Sequence, residues 1–219
     1  MIFYFVYQDK DNLEKDIIRE LQPPGLFLSH KYFYLKELPD IFGKIGYKPD
    51  ILYHAGSGTR IEEYIDDIRD KQEHLTNYLC YDVPGDNEQT YQKYLHMRRS
   101  GLRPAPVYQY NGSLTFPEIE RYIEHGEKVI ALGTRGIPST KAAGDWARLI
   151  TWLYPETRFI YLGTGSKQIL DHVDLYAATA STWIRSAGFG KPRHVPGGKK
   201  EKATYNMKEL LNIPGGENQ

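Results

Sequence analysis

The chain has 219 residues, of which 40% are hydrophobic, and its 28 basic side chains balance 28 acidic ones. This length favours one domain with a real core, and the balanced charge excludes a global field that would drive the protein onto nucleic acid or an anionic membrane. The single cysteine, Cys80, excludes an internal disulfide and a cysteine-based zinc site. No apolar run approaches the ~20 residues that span a bilayer, and no signal-peptide pattern is present. We therefore expect a soluble, cytoplasmic protein.

Eight short apolar runs follow one another along the chain, and most are followed by a stretch with helical periodicity. The runs lie at residues 1–7, 25–29, 50–54, 78–82, 105–110, 128–133, 158–163 and 174–178. Strands that alternate with helices indicate parallel βαβ units. Eight such units predict a compact α/β protein with a (β/α)8 TIM-like barrel, which would be minimal or incomplete because the chain is short for that fold.

The last part of the chain breaks this pattern. We expect one barrel domain over residues 1–190, then a basic loop and a short C-terminal helix or tail over 191–219. The basic residues of this segment are Lys191, Arg193, Lys199, Lys200 and Lys202. They form either a solvated surface loop or a contact with the phosphate backbone of a nucleic acid.

In a barrel of this kind the chemistry lies in the loops that follow the strands. His54 ends the third run, where it could act as an acid, a base or an anion contact, or be purely structural. Asp82 ends the fourth run, so its carboxylate must reach the mouth of the barrel or pay a large desolvation penalty. We rank Asp82 as the first candidate for a functional residue.

The fifth and eighth runs end in polar residues that could line a pocket. Tyr108 and Gln109 close the fifth run; the amide could hydrogen-bond the edge of a heterocycle or hold a loop in place. Ser181 and Arg185 follow the eighth run, either as a polar pocket wall or as part of a capped turn.

Glycine-rich loops follow the sixth and seventh runs. Gly133 and Thr134 belong to the first loop, and Gly163 and Gly165 to the second. Glycine lets the backbone approach a ligand closely, and free N–H groups at a helix start attract anions. Neither loop matches a full dinucleotide or P-loop fingerprint. The second lies where such barrels often hold phosphate, which keeps a phosphorylated small metabolite as a candidate ligand.

A series of ordered segments carries a family resemblance. The segments are FLSHKYFYLKELPDIFGKIGYKPDILYHAGSGT, NYLCYDVPGDNEQTYQKYLHMRRSG, PVYQY, VIALG, FIYLGTGS and TASTWIRSAGFG. Together they resemble the phage-type relatives of queuine tRNA-ribosyltransferase, also called tRNA-guanine transglycosylase, from about residue 27 to 190. The resemblance implies a (β/α)8 barrel that exchanges guanine for a 7-deazaguanine in tRNA or DNA.

The resemblance also implies three catalytic or base-binding carboxylates, of which one is retained. Asp82 stands where the family reads the purine edge, whereas His54 and Thr179 replace the other two acids, and the family's zinc-binding cysteines have no counterparts. A threonine is a poor substitute for a carboxylate that forms and releases a glycosyl bond. Hydrolysis with His54 or Asp82 activating water, or binding without turnover, is chemically easier than exchange.

Three hypotheses follow. The first is an enzyme acting at the N-glycosidic bond of a purine or 7-deazapurine nucleotide, by hydrolysis or altered base exchange. In it Asp82 holds the base, the backbone at Gly133 and Thr134 contacts it, and His54 moves protons. The second is an inactive barrel that binds a base or nucleic acid, and the third a barrel enzyme for a phosphorylated small metabolite. We expect no cofactor and no metal, and as partner a purine or 7-deazapurine base or nucleotide, with DNA or tRNA as further candidates.

Overall fold

The computed structural model describes residues 1–8, 12–164 and 166–180, and within them eight strands alternate with helices. The strands are β1 Ile2–Val6, β2 Gly25–Ser29, β3 Asp50–His54, β4 Asn77–Tyr78, β5 Val107–Gln109, β6 Val129–Gly133, β7 Arg158–Leu162 and β8 Ala177–Ala180. The α-helices are α1 Asn12–Leu21, α2 Leu38–Ile45, α3 Ile61–Lys71, α4 Asn87–Arg99, α5 Pro117–Glu124, α6 Thr140–Leu153 and α7 Lys167–Leu170. None of these helices is long and apolar enough to cross a membrane.

All strands run parallel in one sheet of order β4-β3-β2-β1-β8-β7-β6-β5. The two edge strands then meet at a single parallel bridge between Leu79 and Ala105. Two backbone hydrogen bonds of 2.8 Å support the bridge, from Cys80 N to Ala105 O and from Ala105 N to Tyr78 O. The sheet therefore curls into the predicted barrel, and its β4–β5 seam carries the least backbone pairing.

The core consists of the barrel interior and the layer between strands and helices. Every residue of β2 is buried, as expected for a parallel strand that is covered on both faces. Much of the abundant tyrosine lies here with its hydroxyl hydrogen-bonded; Tyr64, for example, donates to Leu79 O at 2.9 Å. Cys80 is a free, wholly buried core residue.

Two predicted strand boundaries are wrong. The fourth strand ends at Tyr78 instead of residue 82. Backbone pairing stops after Cys80, and the later N–H groups bond to side chains, from Tyr81 N to Met97 Sδ and from Val83 N to Thr90 Oγ1. The eighth strand starts at Ala177 instead of residue 174, because its register is set by pairing with β1. Thr179 therefore lies inside β8 and not in the loop after it.

Candidate functional site

A cavity of about 490 Å³ opens at the carboxyl ends of the strands. All eight strands, or the residues just after them, contribute to its wall. The residues proposed from sequence that line it are His54, Asp82, Gln109, Gly133, Thr134, Gly163 and Thr179. The alternation of side chains along the strands and the common direction of parallel strands bring these residues together from distant parts of the chain.

A carboxylate and an amide form a pair at one side of this cavity. Gln109 Nε2 donates a hydrogen bond of 2.6 Å to Asp82 Oδ2. Burial raises the pKa of Asp82 above its ordinary value, and the Gln109 hydrogen bond only partly offsets this. The carboxylate is thus held in the cavity wall with the Gln109 amide as its side-chain partner, and no cation of the described residues pairs with it. Such an arrangement suits a ligand that donates N–H groups.

Gly133 is required for this pair. β5 and β6 align Gln109 with Gly133, and the Gln109 side chain lies directly over the glycine. A Cβ at Gly133 would come within 2.5 Å of Gln109 Cδ and 2.7 Å of Gln109 Nε2. A larger residue at this position would therefore displace the amide from Asp82.

His54 faces the same cavity from the end of β3. Its ring stacks on Phe27, with 4.3 Å between centroids and an angle of 7° between planes. Burial lowers the pKa of His54 to about 4, so the imidazole is neutral at pH 7. A neutral imidazole in a cavity is able to accept a proton from a ligand or a water molecule.

Thr179 lines the cavity as well, but its polar groups are already engaged. Its hydroxyl and its carbonyl oxygen both accept from Gly163 N at 3.0 Å, and the carbonyl also accepts from Thr164 N at 2.7 Å. Ser166 N in turn donates to Thr164 Oγ1 at 3.0 Å. Since no base hydrogen-bonds the Thr179 hydroxyl in the described part of the chain, the arrangement does not activate it as a nucleophile.

The same contacts weaken the strand-7 loop as a phosphate site. The N–H groups of Gly163, Thr164 and Ser166 point to protein acceptors. Gly165, the other glycine proposed for this loop, lies outside the described residues. So do Ser181 and Arg185, and the basic residues Lys191, Arg193, Lys199, Lys200 and Lys202.

Tyr108, expected from the sequence to bind substrate, does not line this cavity. The residue is wholly buried on the opposite face of β5 from Gln109, its ring stacked against Trp146 at 6.2 Å. Its hydroxyl donates to Asn111 Oδ1 at 3.3 Å, and burial raises its pKa to about 12. Neighbouring residues of a strand point to opposite faces, so only one of Tyr108 and Gln109 can reach the interior.

Sequence reasoning missed two cations in the cavity wall. Lys31 and Arg135 are exposed there, and no carboxylate pairs with either of them among the described residues. Each lies two positions after the last residue of its strand, Ser29 and Gly133 respectively. That shared offset is the signal that could have found them.

No protein-family model matches the chain, and no curated protein does. Solved structures do match. N-acetylneuraminate lyase from Fusobacterium nucleatum, in complex with pyruvate, has 11% sequence identity and a TM-score of 0.57, covering 84% of this chain and 69% of that one. The fold is that of the TIM-barrel enzymes.

Two further solved structures agree on the architecture. Orotidine 5′-monophosphate decarboxylase from Metallosphaera sedula has 11% identity and a TM-score of 0.56, covering 85% of this chain and 92% of that one. A 2,3-dimethylmalate lyase of the PEP mutase/isocitrate lyase superfamily has 9% identity and a TM-score of 0.52, covering 91% and 86%. These enzymes are lyases and a decarboxylase, and identities this low establish a shared fold and leave the reaction to the site itself.

Proposed function

We propose that the cavity binds the base of a purine or 7-deazapurine nucleotide through Asp82 and Gln109. The observation that carries this proposal is the half-buried Asp82 carboxylate at 2.6 Å from the Gln109 amide, both in the cavity wall. A guanine-type edge offers N–H donors beside a carbonyl oxygen. An ionised carboxylate accepts from the N–H groups, and the amide is able to donate to the carbonyl. The resemblance to base-exchanging barrels supports the same assignment for Asp82.

The reaction that fits these residues is cleavage of the N-glycosidic bond by water. The water oxygen would bond to C1′ while neutral His54 takes its proton, and the bond from C1′ to the base nitrogen would break. The leaving base would take a proton from solvent, and His54 would return its proton to solvent. A covalent sugar intermediate on Thr179 fits less well, because its hydroxyl has no neighbouring base in the described chain and is an acceptor for Gly163 N.

A second candidate function has observations of its own. Lys31 and Arg135 place positive charge at the cavity that no carboxylate of the described residues neutralises, which suits a phosphorylated or acidic small metabolite. The names of the similar structures point the same way, since they include lyases of small acids and a decarboxylase of a nucleoside monophosphate. Against it, an acidic metabolite would bring negative charge towards Asp82.

Binding measurements separate the two candidates. We expect guanine and 7-deazaguanine to raise the melting temperature and ribose 5-phosphate alone to leave it unchanged; a ligand at 100 times its Kd adds about 2.7 kcal/mol to the free energy of unfolding. The reverse result, stabilisation by ribose 5-phosphate and not by the bases, would establish the second candidate instead. For the reaction, wild-type protein should release free guanine from guanosine 5′-monophosphate, and His54→Gln should not.

Asp82→Asn is the sharpest variant for base recognition. It keeps the shape but removes a charge-assisted acceptor, so guanine affinity should fall by roughly 10- to 100-fold, or about 1.5–3 kcal/mol. Because burial raises the pKa of Asp82, ionising this carboxyl group costs stability at neutral pH, and the free energy of unfolding of the variant should be higher than that of wild type.

Asp86→Asn is the matched control. Asp86 is an exposed carboxylate that caps α4 by accepting from Gln89 N at 2.8 Å, outside the cavity. Asparagine caps a helix nearly as well, so neither binding nor stability should change much. Equal guanine affinity in wild type and Asp82→Asn would overturn the proposal.

A further inference from the structure

One buried side chain holds the backbone of Gln109 at both of its polar groups. Asn87, the first residue of α4, is only 6% exposed. Its Nδ2 donates to Gln109 O at 2.9 Å, and its Oδ1 accepts from Gln109 N at 2.7 Å. A primary amide has the same donor and acceptor as a peptide unit, so Asn87 bonds to Gln109 as a neighbouring strand would.

The neighbouring strand is missing at this level of the barrel. β4 ends at Tyr78, and its contact with the β5 side ends at the bridge from Leu79 to Ala105 and the Cys80 N bond to Ala105 O. On its other side β5 stays paired with β6, where Tyr110 N donates to Gly133 O at 2.9 Å. Without Asn87 the buried N–H and C=O of Gln109 would have no partner on the β4 side.

The side chain of Gln109 has little freedom to absorb a shift of its backbone. It lies over Gly133 so closely that a single added methyl group would overlap it, and it meets Asp82 at 2.6 Å. A displacement of β5 by a few tenths of an ångström therefore changes the hydrogen bond between the amide and the carboxylate.

We propose that Asn87 is a positioning residue for base recognition, acting through Gln109 on the pair with Asp82. This proposal rests on the proposed function of that pair. Its role is distinct from that of a residue that only stabilises α4, because its two hydrogen bonds end on the backbone of a residue in the cavity wall.

The test compares two substitutions on the same helix. Asn87→Ala removes both bonds to Gln109. Tyr94→Phe is the control: Tyr94 is also wholly buried and its hydroxyl donates to Glu127 Oε1 at 2.6 Å, but among the described residues no hydrogen bond joins its side chain to Asp82, Val83 or Gln109. We expect both variants to lower the melting temperature. Only Asn87→Ala should lower the preference for guanine over unsubstituted purine, by about tenfold, because purine lacks the edge groups that the pair reads.

A spectroscopic readout needs no ligand. The side-chain amide proton of Gln109 that bonds to Asp82 should give a downfield resonance in the wild-type protein, assigned with Gln109→Glu. Asn87→Ala should shift it upfield, and Tyr94→Phe should leave it in place. If Asn87→Ala does not fold, Asn87→Asp serves instead, since it keeps the acceptor for Gln109 N and replaces the donor to Gln109 O with a carboxylate oxygen that repels it.

The possible failures are distinguishable. An unchanged Gln109 resonance, or an unchanged guanine preference, in a folded Asn87 variant would overturn the positioning role. Wild-type protein that binds neither guanine nor purine would overturn the proposed function, and the resonance would then decide alone whether Asn87 positions Gln109.

Discussion

The polar groups at the two sides of the barrel mouth differ in their hydrogen-bond partners. On the β7–β8 side, the hydroxyl and carbonyl of Thr179 accept the N–H groups of Gly163 and Thr164. On the β4–β5 side, Asp82 meets one side-chain amide and burial raises its pKa. The hydrogen-bonding groups of the first side are satisfied by the protein itself, whereas the second side keeps a carboxylate in the cavity wall that could accept further hydrogen bonds. A glycine-rich loop after a strand is therefore not a phosphate site merely by composition, since its N–H groups must also be free.

Strand pairing accounts for this difference. β8 continues to pair beyond the end of β7, because Thr179 O bonds to the first residues of the following loop. β4 contains only two residues, so the β4–β5 side loses its backbone ladder early and side chains replace it. The less regular seam is the one that carries the candidate recognition pair.

Gly133→Ala should give the largest effect, because it disrupts the hydrogen bond between Gln109 and Asp82 on the β4–β5 side directly. The added methyl group would lie within 2.5 Å of Gln109 Cδ, which forces the amide away from Asp82. Overpacking lowers the free energy of unfolding by about 1–3 kcal/mol. Loss of a hydrogen bond to a charged group weakens the binding free energy by about the same amount. Guanine affinity measured by calorimetry should fall by about 100-fold.

Gly43→Ala is the control for that substitution. Gly43 lies in α2, where a Cβ would meet nothing within 4 Å, so alanine should leave binding unchanged and favour the helix. If Gly133→Ala bound guanine as tightly as Gly43→Ala, the close contact between Gln109 and Gly133 would have no role in recognition.

The next effect concerns His54, which faces the cavity from β3. Burial lowers its pKa to about 4, below the ordinary value of 6.5 in an unfolded chain. Between these two values the unfolded state binds more protons, so the free energy of unfolding falls as the pH drops from about 6.5 towards 4. His54→Phe keeps the stacking on Phe27 and removes this titration. Between pH 7 and 4.5 the free energy of unfolding of His54→Phe, measured in urea, should rise by about 1–2 kcal/mol relative to that of wild type.

His172→Phe gives the comparison for this pH effect. His172 is exposed and does not line the cavity, so the variant controls for the exchange of a histidine for a phenylalanine away from the site. If the free energy of unfolding of wild type and of His54→Phe depended on pH in the same way, His54 would be solvated. Burial would then not explain a neutral His54 that acts as a base.

Much of the fold, and part of the site, was predictable from the sequence. The regular alternation of apolar runs and helical patterns predicts the barrel, and a carboxylate that ends an apolar run predicts that Asp82 reaches the mouth. The ends of strands were less predictable, because pairing with neighbours and not propensity sets where β4 stops and β8 begins. Hence the sequence could not show which of Tyr108 and Gln109 faces inward, since a shift of one position along the strand exchanges the two faces.

Other features of the site depend on contacts that a sequence does not display. The close approach of Gln109 to Gly133 arises from the alignment of β5 with β6. The two hydrogen bonds of Asn87 arise where β4 is absent. Lys31 and Arg135 resemble ordinary surface charges, and only the curvature of the sheet brings them to one cavity.

The smallest effect should come from Thr179→Val, which tests the β7–β8 side. Valine keeps the shape and removes one of the two acceptors of Gly163 N, while the carbonyl oxygen remains. The free energy of unfolding should therefore fall by about 1 kcal/mol. Guanine affinity and base release should change by less than about twofold, because the hydroxyl is a structural acceptor in this arrangement.

Thr164→Val measures the cost of a comparable loss at the same side of the mouth. Thr164 is also buried, and its hydroxyl accepts from Ser166 N at 3.0 Å. Similar small losses of stability in the two variants, with normal base release, would leave the β7–β8 side with a structural role only. Loss of base release in Thr179→Val but not in Thr164→Val would instead make the Thr179 hydroxyl part of the reaction, and the contrast between the two sides of the mouth would not hold.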